Sequence, residues 1–330
     1  MKKLSDRYLP TWPMLLLLAA LYGSGVIAVI PGKAYPEPAF LSDVIDYSII
    51  FSQRTLSKVL AGIALAVEAV IISMIESRVI YYRSNFLPLV YLCCTVSNPY
   101  ALCFSPLHIA TIFLTLHIYF CINYRISDER ADEGSIGFAN LSLALAILAW
   151  PPVLWLTPFS LIINPRDSQN RIGYIATYVS ALLASILIAA VIEYLFSGIE
   201  ASINLLSHIW EGCTTIPQHT ISLPLTRIIM IAVIFTGGIA ILVNIMKNFN
   251  KYGLARYQAL KLVVLYTGPI LLLALIFRPF ANAPVGMIMF VPLSILANDS
   301  LHNHHSAKFT NLLIATAVII AAAERIALLN

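Results

Sequence analysis

Long apolar runs, separated by short polar or proline-containing turns, dominate the pattern along the chain. An α-helix needs about 20 apolar residues to cross the roughly 30 Å hydrocarbon core of a bilayer. The pattern predicts eleven helices, some of them half-length, at 13–31, 58–76, 86–97, 106–123, 136–150, 152–164, 173–197, 225–246, 259–277, 284–297 and 308–328. The expected fold is an all-α integral membrane protein in which 1–330 is a single polytopic transmembrane domain.

The composition excludes a water-soluble globule. Hydrophobic residues make up 59% of the chain and charged residues 11%. Soluble domains contain roughly 45–50% apolar residues and about 25% charged residues. So few charges cannot cover a water-facing surface, and so many apolar residues exclude a disordered chain. Lys and Arg stand in small groups at the ends of apolar runs, which excludes nucleic acid as a partner. We expect membrane lipids around the chain, in the bacterial cytoplasmic (inner) membrane.

The distribution of Lys and Arg predicts the orientation. With a cytoplasmic N-terminus and eleven alternating spans, fourteen of the 20 Lys and Arg residues fall on the cytoplasmic side. The six outside residues are Lys33, Arg54, Lys58, Arg227, Arg278 and Arg325. Cytoplasmic loops carry the excess of positive charge in membrane proteins. The bias therefore favours a cytoplasmic N-terminus and, because the number of spans is odd, an outside C-terminus.

The first long outside segment, 32–57, contains Asp43 and Asp46. Residues three apart share one face of a helix. Two interpretations stay open for these acids. One of them can act as a general base on an acceptor hydroxyl within hydrogen-bond reach, or both can face water from an amphipathic helix that lies in the membrane interface.

The second long outside segment, 198–224, contains Glu200, His208 and Glu211 on one polar helix face. This face either lines an acceptor site or cavity, or belongs to an amphipathic helix on the membrane surface. The spacing of these residues is not that of a zinc site.

Prolines shorten the helices in the middle of the chain. Trp150-Pro151-Pro152 splits the run 136–164 into two helices, and Asn98-Pro99 and Ser105-Pro106 bracket a tight outside turn. Lipid cannot satisfy the free backbone groups of broken helices, so they must be sheltered by protein or line a wet cavity. A cavity open to the outside and two thin hairpins packed within the bundle are both compatible with this pattern.

The chain resembles an uncharacterised family of polytopic bacterial envelope membrane proteins. The resemblance covers most of the chain from about residue 55 onward. It is carried by Leu87-Pro88-Leu89, Ser97-Asn98-Pro99, Pro106-Leu107-His108, Gly137-Phe138-Ala139, Leu143-Ala144-Leu145, Pro151-Pro152, Arg166 and the ending Phe290-Val291-Pro292-Leu293-Ser294-Ile295-Leu296-Ala297-Asn298. These residues form a pattern of helices and prolines rather than a catalytic signature.

More distantly, the layout is similar to the integral-membrane glycosyltransferases of the C superfamily. That resemblance implies a catalytic acid in the first outside loop, a short-helix hairpin near helices five and six, and a polyprenyl-phosphate sugar as donor at the outer face. Asp43 and Asp46 are the positions that would match the catalytic acid. The tighter paired-acid motif and the large outer domain of many members are absent from this sequence.

Three arginines at outside helix ends are candidate ligands of a lipid phosphate: Arg54, Arg227 and Arg278. The planar guanidinium suits a phosphate because it can donate two parallel hydrogen bonds. The alternative is that each side chain reaches the phospholipid headgroups, as basic residues at helix ends commonly do.

Glu68 stands in the middle of an apolar run, with His108 and His117 on another predicted span as candidate partners. An acid at the bilayer centre costs about 2.5–3.5 kcal/mol on insertion scales, so it usually faces a partner or a cavity. Glu68 is therefore either a proton or cation site of a transporter or a protonated carboxyl bonded to a neighbouring helix.

No resident cofactor or metal is predicted, although a divalent cation is compatible with the acids. Cys103 and Cys213 both fall on the predicted outside, where an oxidising compartment permits a disulfide. Three functions remain open. The first expectation is a glycosyltransferase-like protein using a polyprenyl-phosphate sugar. The alternatives are a non-catalytic subunit that contacts other envelope membrane proteins, and a transporter of a small or lipidic solute that uses Glu68.

Overall fold

A computed structural model describes most of the middle of the chain. The described residues are 54–79, 91, 95, 101, 103–126, 133–163, 171–214, 239, 243, 246–247, 253–276, 288 and 291–296. All regular structure in these ranges is helical. The predicted spans at 13–31 and 308–328 lie outside them, so the count of eleven and the orientation are predictions that the described ranges leave untested.

The helices occur where the apolar pattern predicts them. Their bounds are α1 Arg54–Val79, α2 Pro106–Ile126, α3 Glu133–Ala149, a 3-10 helix Pro151–Leu156, α4 Thr157–Ile163, α5 Arg171–Ser197, α6 Ile199–Thr214 and α7 Leu254–Ile276. Within the described ranges, three stretches are long and apolar enough to cross a membrane: Thr55–Ile75, Pro106–Ile126 and Ile172–Ser197. The prediction of an α-helical membrane protein is confirmed at this level.

Helix α2 lies at the centre of the described bundle and packs against α1, α3 and α7. Its buried residues cover several sides of the helix, as expected for a span surrounded by protein. One stripe of buried apolar residues recurs every three or four positions at Leu107, Ala110, Leu114 and Ile118. The side chains of α2 therefore join the surrounding helices into one apolar core.

The proline pair after α3 breaks the helix and changes the type of the helix that follows. Trp150 is extended, with φ −148° and ψ 96°, because a following proline ring disfavours the α conformation. Proline has no N–H to donate, so the usual bonds between residues four apart are lost here. The next turn is closed instead by a bond between residues three apart, from the Val153 N–H to the Trp150 carbonyl at 3.1 Å. The prediction of an α-helix over 152–164 is thus corrected: a 3-10 helix precedes the seven-residue α4.

Helix α5 has one buried stripe and a wide exposed apolar surface. The buried positions are spaced mainly by four residues, at Tyr174, Tyr178, Ser185, Ala189 and Glu193. The remaining surface is largely exposed Ile, Leu, Val and Phe, the composition expected where a transmembrane helix contacts lipid. At Gly198 the backbone turns with φ +90°, a conformation that glycine adopts without a Cβ penalty, and α6 begins at the next residue.

Helix α6 packs directly on the proline break. Gly212 lies so close to the Pro151 ring that a Cβ at position 212 would come within 2.9 Å of the proline Cγ. The indole Nε1 of Trp155 donates to the Cys213 carbonyl at 3.2 Å, and the Cys213 thiol donates to the Pro151 carbonyl at 3.1 Å. These contacts fix the C-terminal end of α6 to the 3-10 helix.

Replacing Gly212 with Ala is expected to destabilise the protein by about 1–3 kcal/mol, because the added methyl would overlap a rigid ring in a packed contact. The measurement is the thermal unfolding midpoint of detergent-solubilised protein. Gly137→Ala is the matched control, since it also lies in a helix and a Cβ there meets nothing within 4 Å. Equal midpoints for Gly212→Ala and Gly137→Ala would contradict the close packing.

Candidate functional site

Two groups of buried polar side chains lie inside the apolar core. The first, named the Glu68 site, consists of Glu68, Tyr91 and Thr95. The second, named the His117 cluster, consists of His117, Ser160, Tyr174 and Tyr266. Tyr91 and Tyr266 belong to one and the same apolar cluster. Both groups are therefore enclosed by the same bundle of helices.

Glu68 lies near the middle of the 26-residue helix α1 and is 0% exposed. Its neighbours on the same helix face, Leu65 and Ile72, are also buried. The Tyr91 hydroxyl donates a hydrogen bond to Glu68 Oε2. The Thr95 hydroxyl donates to the Tyr91 carbonyl at 2.7 Å, one turn further along that segment. The carboxyl is thus held by a tyrosine that is itself fully buried.

The second carboxyl oxygen, Glu68 Oε1, is buried and has no hydrogen-bond partner within the described part of the chain. A buried charge is stable only when it is paired or neutralised. The tyrosine hydroxyl is neutral and supplies a single donor. The site therefore contains one ionisable carboxyl whose described hydrogen-bond donor is a neutral group.

The His117 cluster is a set of hydroxyls around one imidazole. His117 Nδ1 lies 2.8 Å from the Ala139 carbonyl, and His117 Nε2 lies 2.6 Å from the Tyr266 hydroxyl. A carbonyl oxygen only accepts, so Nδ1 carries the hydrogen and donates it. Nε2 of the neutral ring is then an acceptor, and the hydroxyls of Tyr266 and Ser160 both lie within hydrogen-bond distance of it. The cluster thus selects one tautomer of His117.

The hydroxyls continue away from His117. Ser160 Oγ lies 3.3 Å from His117 Nε2 and 3.2 Å from the Tyr266 hydroxyl oxygen. Tyr174 follows, with its hydroxyl oxygen 3.4 Å from Ser160 Oγ. The four side chains come from α2, α4, α5 and α7, and the Ala139 carbonyl belongs to α3. Five helices therefore converge on this imidazole.

A separate pair of hydroxyls lies one turn away on the same two helices. Thr157 Oγ1 and the Tyr178 hydroxyl oxygen are 2.9 Å apart. Thr157 is three residues before Ser160 on α4, and Tyr178 is four residues after Tyr174 on α5. The later residue of α4, Ser160, contacts the earlier residue of α5, Tyr174, and the earlier residue of α4 contacts the later residue of α5. Helices α4 and α5 are therefore antiparallel where they meet.

His108 has a different role from His117. Its Nδ1 accepts the Ser105 backbone N–H at 3.2 Å, and its Nε2 lies 3.1 Å from the Ala101 carbonyl, to which it donates. Both ring nitrogens are therefore engaged by the backbone in front of α2, where they secure the start of the helix. The expectation that His108 or His117 partners Glu68 is corrected, since Tyr91 supplies the described hydrogen bond to the carboxyl.

Helix α6 displays three separate stripes. The stripe containing Leu205 and Cys213 is buried against the bundle. A second stripe is apolar and exposed, at Ile199, Ile203, Leu206 and Trp210. The third is polar and exposed, at Glu200, Asn204, Ser207 and Glu211. An apolar and a polar stripe side by side favour the interpretation of 199–214 as a helix on the membrane surface. For His208 only its place on α6 is described.

The remaining predicted site residues have no described surroundings. Asp43, Asp46, Arg227 and Arg278 lie outside the described residues, and Arg54 is described only as the first residue of α1. Cys103 and Cys213 are both present as thiols, so the disulfide that their predicted location permits is not formed. Within the described ranges, no group of three or more His, Cys, Asp and Glu side chains is close enough to hold a metal ion.

The pattern of the sequence did not single out Tyr91, Ser160, Tyr174 or Tyr266. Single hydroxyls in apolar runs are common and carry no spacing of their own. One signal was available in the sequence. Thr157 and Ser160 are three residues apart on one predicted helix, and Tyr174 and Tyr178 are four residues apart on the next. Each pair therefore places two hydroxyls on one helix face.

Comparison of the chain with protein-family models, characterised proteins and solved structures finds no match.

The Cys213 thiol is expected to resist alkylation at pH values where an exposed cysteine reacts. Burial raises the pKa of this thiol from 9.0 to about 11. The thiolate is the reactive form, and a pKa of 11 leaves roughly 1% of it at pH 9. Mass spectrometry after iodoacetamide treatment should show modification at position 213 only as the pH rises toward 11. Ser207→Cys on the exposed stripe is the control, and equal labelling of both sites at pH 8 would contradict the prediction.

Proposed function

We propose that this protein is a transporter that moves a small or lipidic solute across the membrane together with, or in exchange for, a proton held by Glu68. The observation that carries the proposal is the Glu68 site: a fully buried carboxyl in the middle of a membrane-length helix, bonded by Tyr91, with one oxygen unpartnered among the described residues. An ionisable residue inside a membrane bundle usually marks a proton or ion pathway.

The broken helix supports the same proposal. Transporters commonly form their binding sites from discontinuous helices near the middle of the membrane. Here α3 ends at Ala149, and the 3-10 helix and the seven-residue α4 follow without a long loop. Ser160 of α4 reaches the core of the bundle and contacts His117. The short helix is thus sheltered by protein, as non-helical backbone at this depth requires.

The proposal includes the number of membrane spans and the orientation that the sequence predicts. The protein would span the bacterial cytoplasmic membrane eleven times, with the N-terminus inside and the C-terminus outside. In that orientation α1 and α2 both run from the outer to the inner face. Glu68 would then lie about 20 Å from the outer end of α1, at 1.5 Å of rise per residue.

Glu68→Gln is expected to reduce protein-dependent proton movement at least about tenfold, because the amide keeps the shape of the side chain but does not take up and release a proton. The measurement is the rate of pH change inside liposomes that contain the protein and a pH-sensitive dye, under an imposed membrane potential. Glu200→Gln, an exposed carboxyl on α6, is the matched control and should leave the rate unchanged.

Two results would contradict the proposal. The first is an unchanged rate in Glu68→Gln protein that is inserted at the same density as the wild type. The second is a wild-type rate equal to that of protein-free liposomes across the pH range tested. A thermal unfolding curve for each variant separates a loss of the proton site from a loss of the fold.

A second candidate is the membrane glycosyltransferase suggested by the resemblance to the C superfamily. The observation that favours it is α6, an amphipathic surface helix fixed by Gly212 and Cys213 to the break at Pro151. A surface helix beside half-length helices is an arrangement that can shelter a lipid-linked donor. In this case Asp43 or Asp46 would be the general base and Arg54, Arg227 or Arg278 would bind the phosphate of a polyprenyl-phosphate sugar.

If that candidate is correct, Asp43→Asn or Asp46→Asn should abolish transfer of a radiolabelled sugar from a polyprenyl-phosphate donor to membrane lipid or protein. The expected loss is at least about 100-fold, the lower range for removal of a general base. Glu200→Gln again serves as the control. Transfer at the wild-type rate in both Asp variants would exclude the two acids as the base.

A further inference from the structure

The burial of Glu68 requires some part of the bundle to move during transport. Its side chain is 0% exposed, so neither water nor a solute reaches the carboxyl in this conformation. Helices α2 and α7 both pack against α1, which carries Glu68. A transport cycle that uses this carboxyl needs an element beside it that opens and closes. The question is which of the packed helices contains a point of bending.

Helix α7 contains such a point, because Pro269 lies inside it. A Cβ at the preceding residue, Gly268, would meet nothing within 4 Å, so the chain has open space there. The break at Pro151 is different, since α6 holds it in place. Gly212 packs on the Pro151 ring, and the Cys213 thiol donates to the Pro151 carbonyl. The break before α4 is thus clamped, whereas the one in α7 has room beside it.

Three consecutive residues weaken the hydrogen bonding of α7 at this point. Pro269 has no N–H, so the Leu265 carbonyl loses the bond that residue 269 donates in a regular helix. Gly268 has a wider range of backbone angles than residues with a Cβ. The Thr267 hydroxyl donates to the Val263 carbonyl at 2.8 Å, a contact that often bends helices. Kinks in helices occur at sites of this kind.

Tyr266 fixes α7 to the bundle directly before this point. Its hydroxyl oxygen lies 2.6 Å from His117 Nε2 and 3.2 Å from Ser160 Oγ. These two partners belong to α2 and α4. Among the described side chains after the point, Pro269 is half-buried and Ile270 is buried in the apolar core, where contacts are not directional. Hydrogen bonds therefore hold the part of α7 before Gly268, and apolar packing holds the part after it.

The weak point of α7 lies at about the depth of Glu68. The Phe104 N–H donates to Ser57 Oγ at 3.0 Å, so the starts of α1 and α2 lie side by side. Glu68 is eleven residues after Ser57, and His117 is eleven residues after Pro106. At 1.5 Å of rise per residue, each is about 17 Å from that end. Because Tyr266 contacts His117, the residues that follow it in α7 are level with the buried carboxyl.

We infer that α7 hinges at Gly268–Pro269 and that this movement opens the core of the bundle beside Glu68. Tyr266 stays bonded to His117 and Ser160 while residues 270–276 turn. The movement keeps the hydrogen bonds of Tyr266 and exchanges only apolar packing, which is not directional. The inference rests on the proposed function, because a transporter needs its buried site to become accessible from each side of the membrane.

Gly268→Ala tests the hinge without disturbing the packing. The added methyl meets no neighbouring atom, and alanine favours a helix more than glycine does, so the thermal unfolding midpoint should be equal or higher. We expect proton movement into the dye-containing liposomes to slow at least about fivefold, because a stiffer helix opens less often. Gly137→Ala is the matched control, since it adds the same methyl to α3 with nothing within 4 Å. It should keep the wild-type rate.

Pro269→Ala is the second variant, because it restores the N–H that the Leu265 carbonyl lacks, and it should slow proton movement in the same way. Hydrogen–deuterium exchange gives a readout that does not depend on transport. The amides of residues 270–273 donate to residues 266–269 in a regular helix, so their bonds cross the hinge. Their exchange should be slower in Gly268→Ala and Pro269→Ala than in the wild type and unchanged in Gly137→Ala. Loss of packing would instead make exchange faster.

The outcomes separate this inference from the proposed function. Wild-type rates and wild-type exchange in Gly268→Ala and Pro269→Ala overturn the hinge, while loss of proton movement in Glu68→Gln still supports the Glu68 proposal. Slower proton movement together with lower unfolding midpoints in both variants also overturns the hinge. If exchange slows in both variants but the wild type moves no protons, α7 does bend at this point, and the proposed function and the opening beside Glu68 are overturned.

Discussion

The need to satisfy buried donors and acceptors within the protein is the constraint on which the rest of this structure depends. In a bilayer, every buried donor and acceptor must find its partner within the protein. The imidazole of His117 satisfies this requirement with both ring nitrogens, one on the Ala139 carbonyl and one on the Tyr266 hydroxyl. Hydrogen bonds of this kind, rather than a hydrophobic effect between helices, give transmembrane bundles much of their specificity.

The proline break shows the same constraint acting on the backbone. Pro151 and Pro152 bring no N–H groups to the turn, so part of the helical bonding is lost there. The structure compensates by shifting to 3-10 bonding and by engaging the Pro151 carbonyl with the Cys213 thiol. Helix α6 therefore both completes the hydrogen bonding of a broken helix and packs against it. A single glycine, Gly212, permits that approach.

At Glu68 the constraint is not fully met within the described part of the chain. One carboxyl oxygen has the Tyr91 hydroxyl, and the other has no partner among the described residues. Groups that serve only to stabilise a fold are usually satisfied, so an incompletely satisfied carboxyl at the centre of a bundle favours exchange of a proton or ion.

Much of the architecture follows from the sequence alone, because apolar length and proline placement act locally. The apolar runs predicted the positions of α1, α2, α3, α5 and α7, and the Trp150-Pro151 step predicted the break. The sequence also singled out Glu68 and His117, since ionisable residues in apolar runs are rare and costly. The sequence predicted an α-helix over 152–164, whereas the chain forms a 3-10 helix after the two prolines. The choice between α-helical and 3-10 hydrogen bonding depends on how the proline break packs, which the sequence pattern does not give.

Only the tertiary structure decided which polar groups meet. Tyr91 is 23 residues from Glu68, and Tyr266 is 149 residues from His117. Such contacts depend on the rotation and height of each helix in the bundle, which apolar periodicity does not fix when a helix is buried on several sides. The sequence therefore determined that ionisable residues lie inside apolar helices and in which helices they lie. The packing of five helices at the His117 cluster determined which polar side chains contact one another.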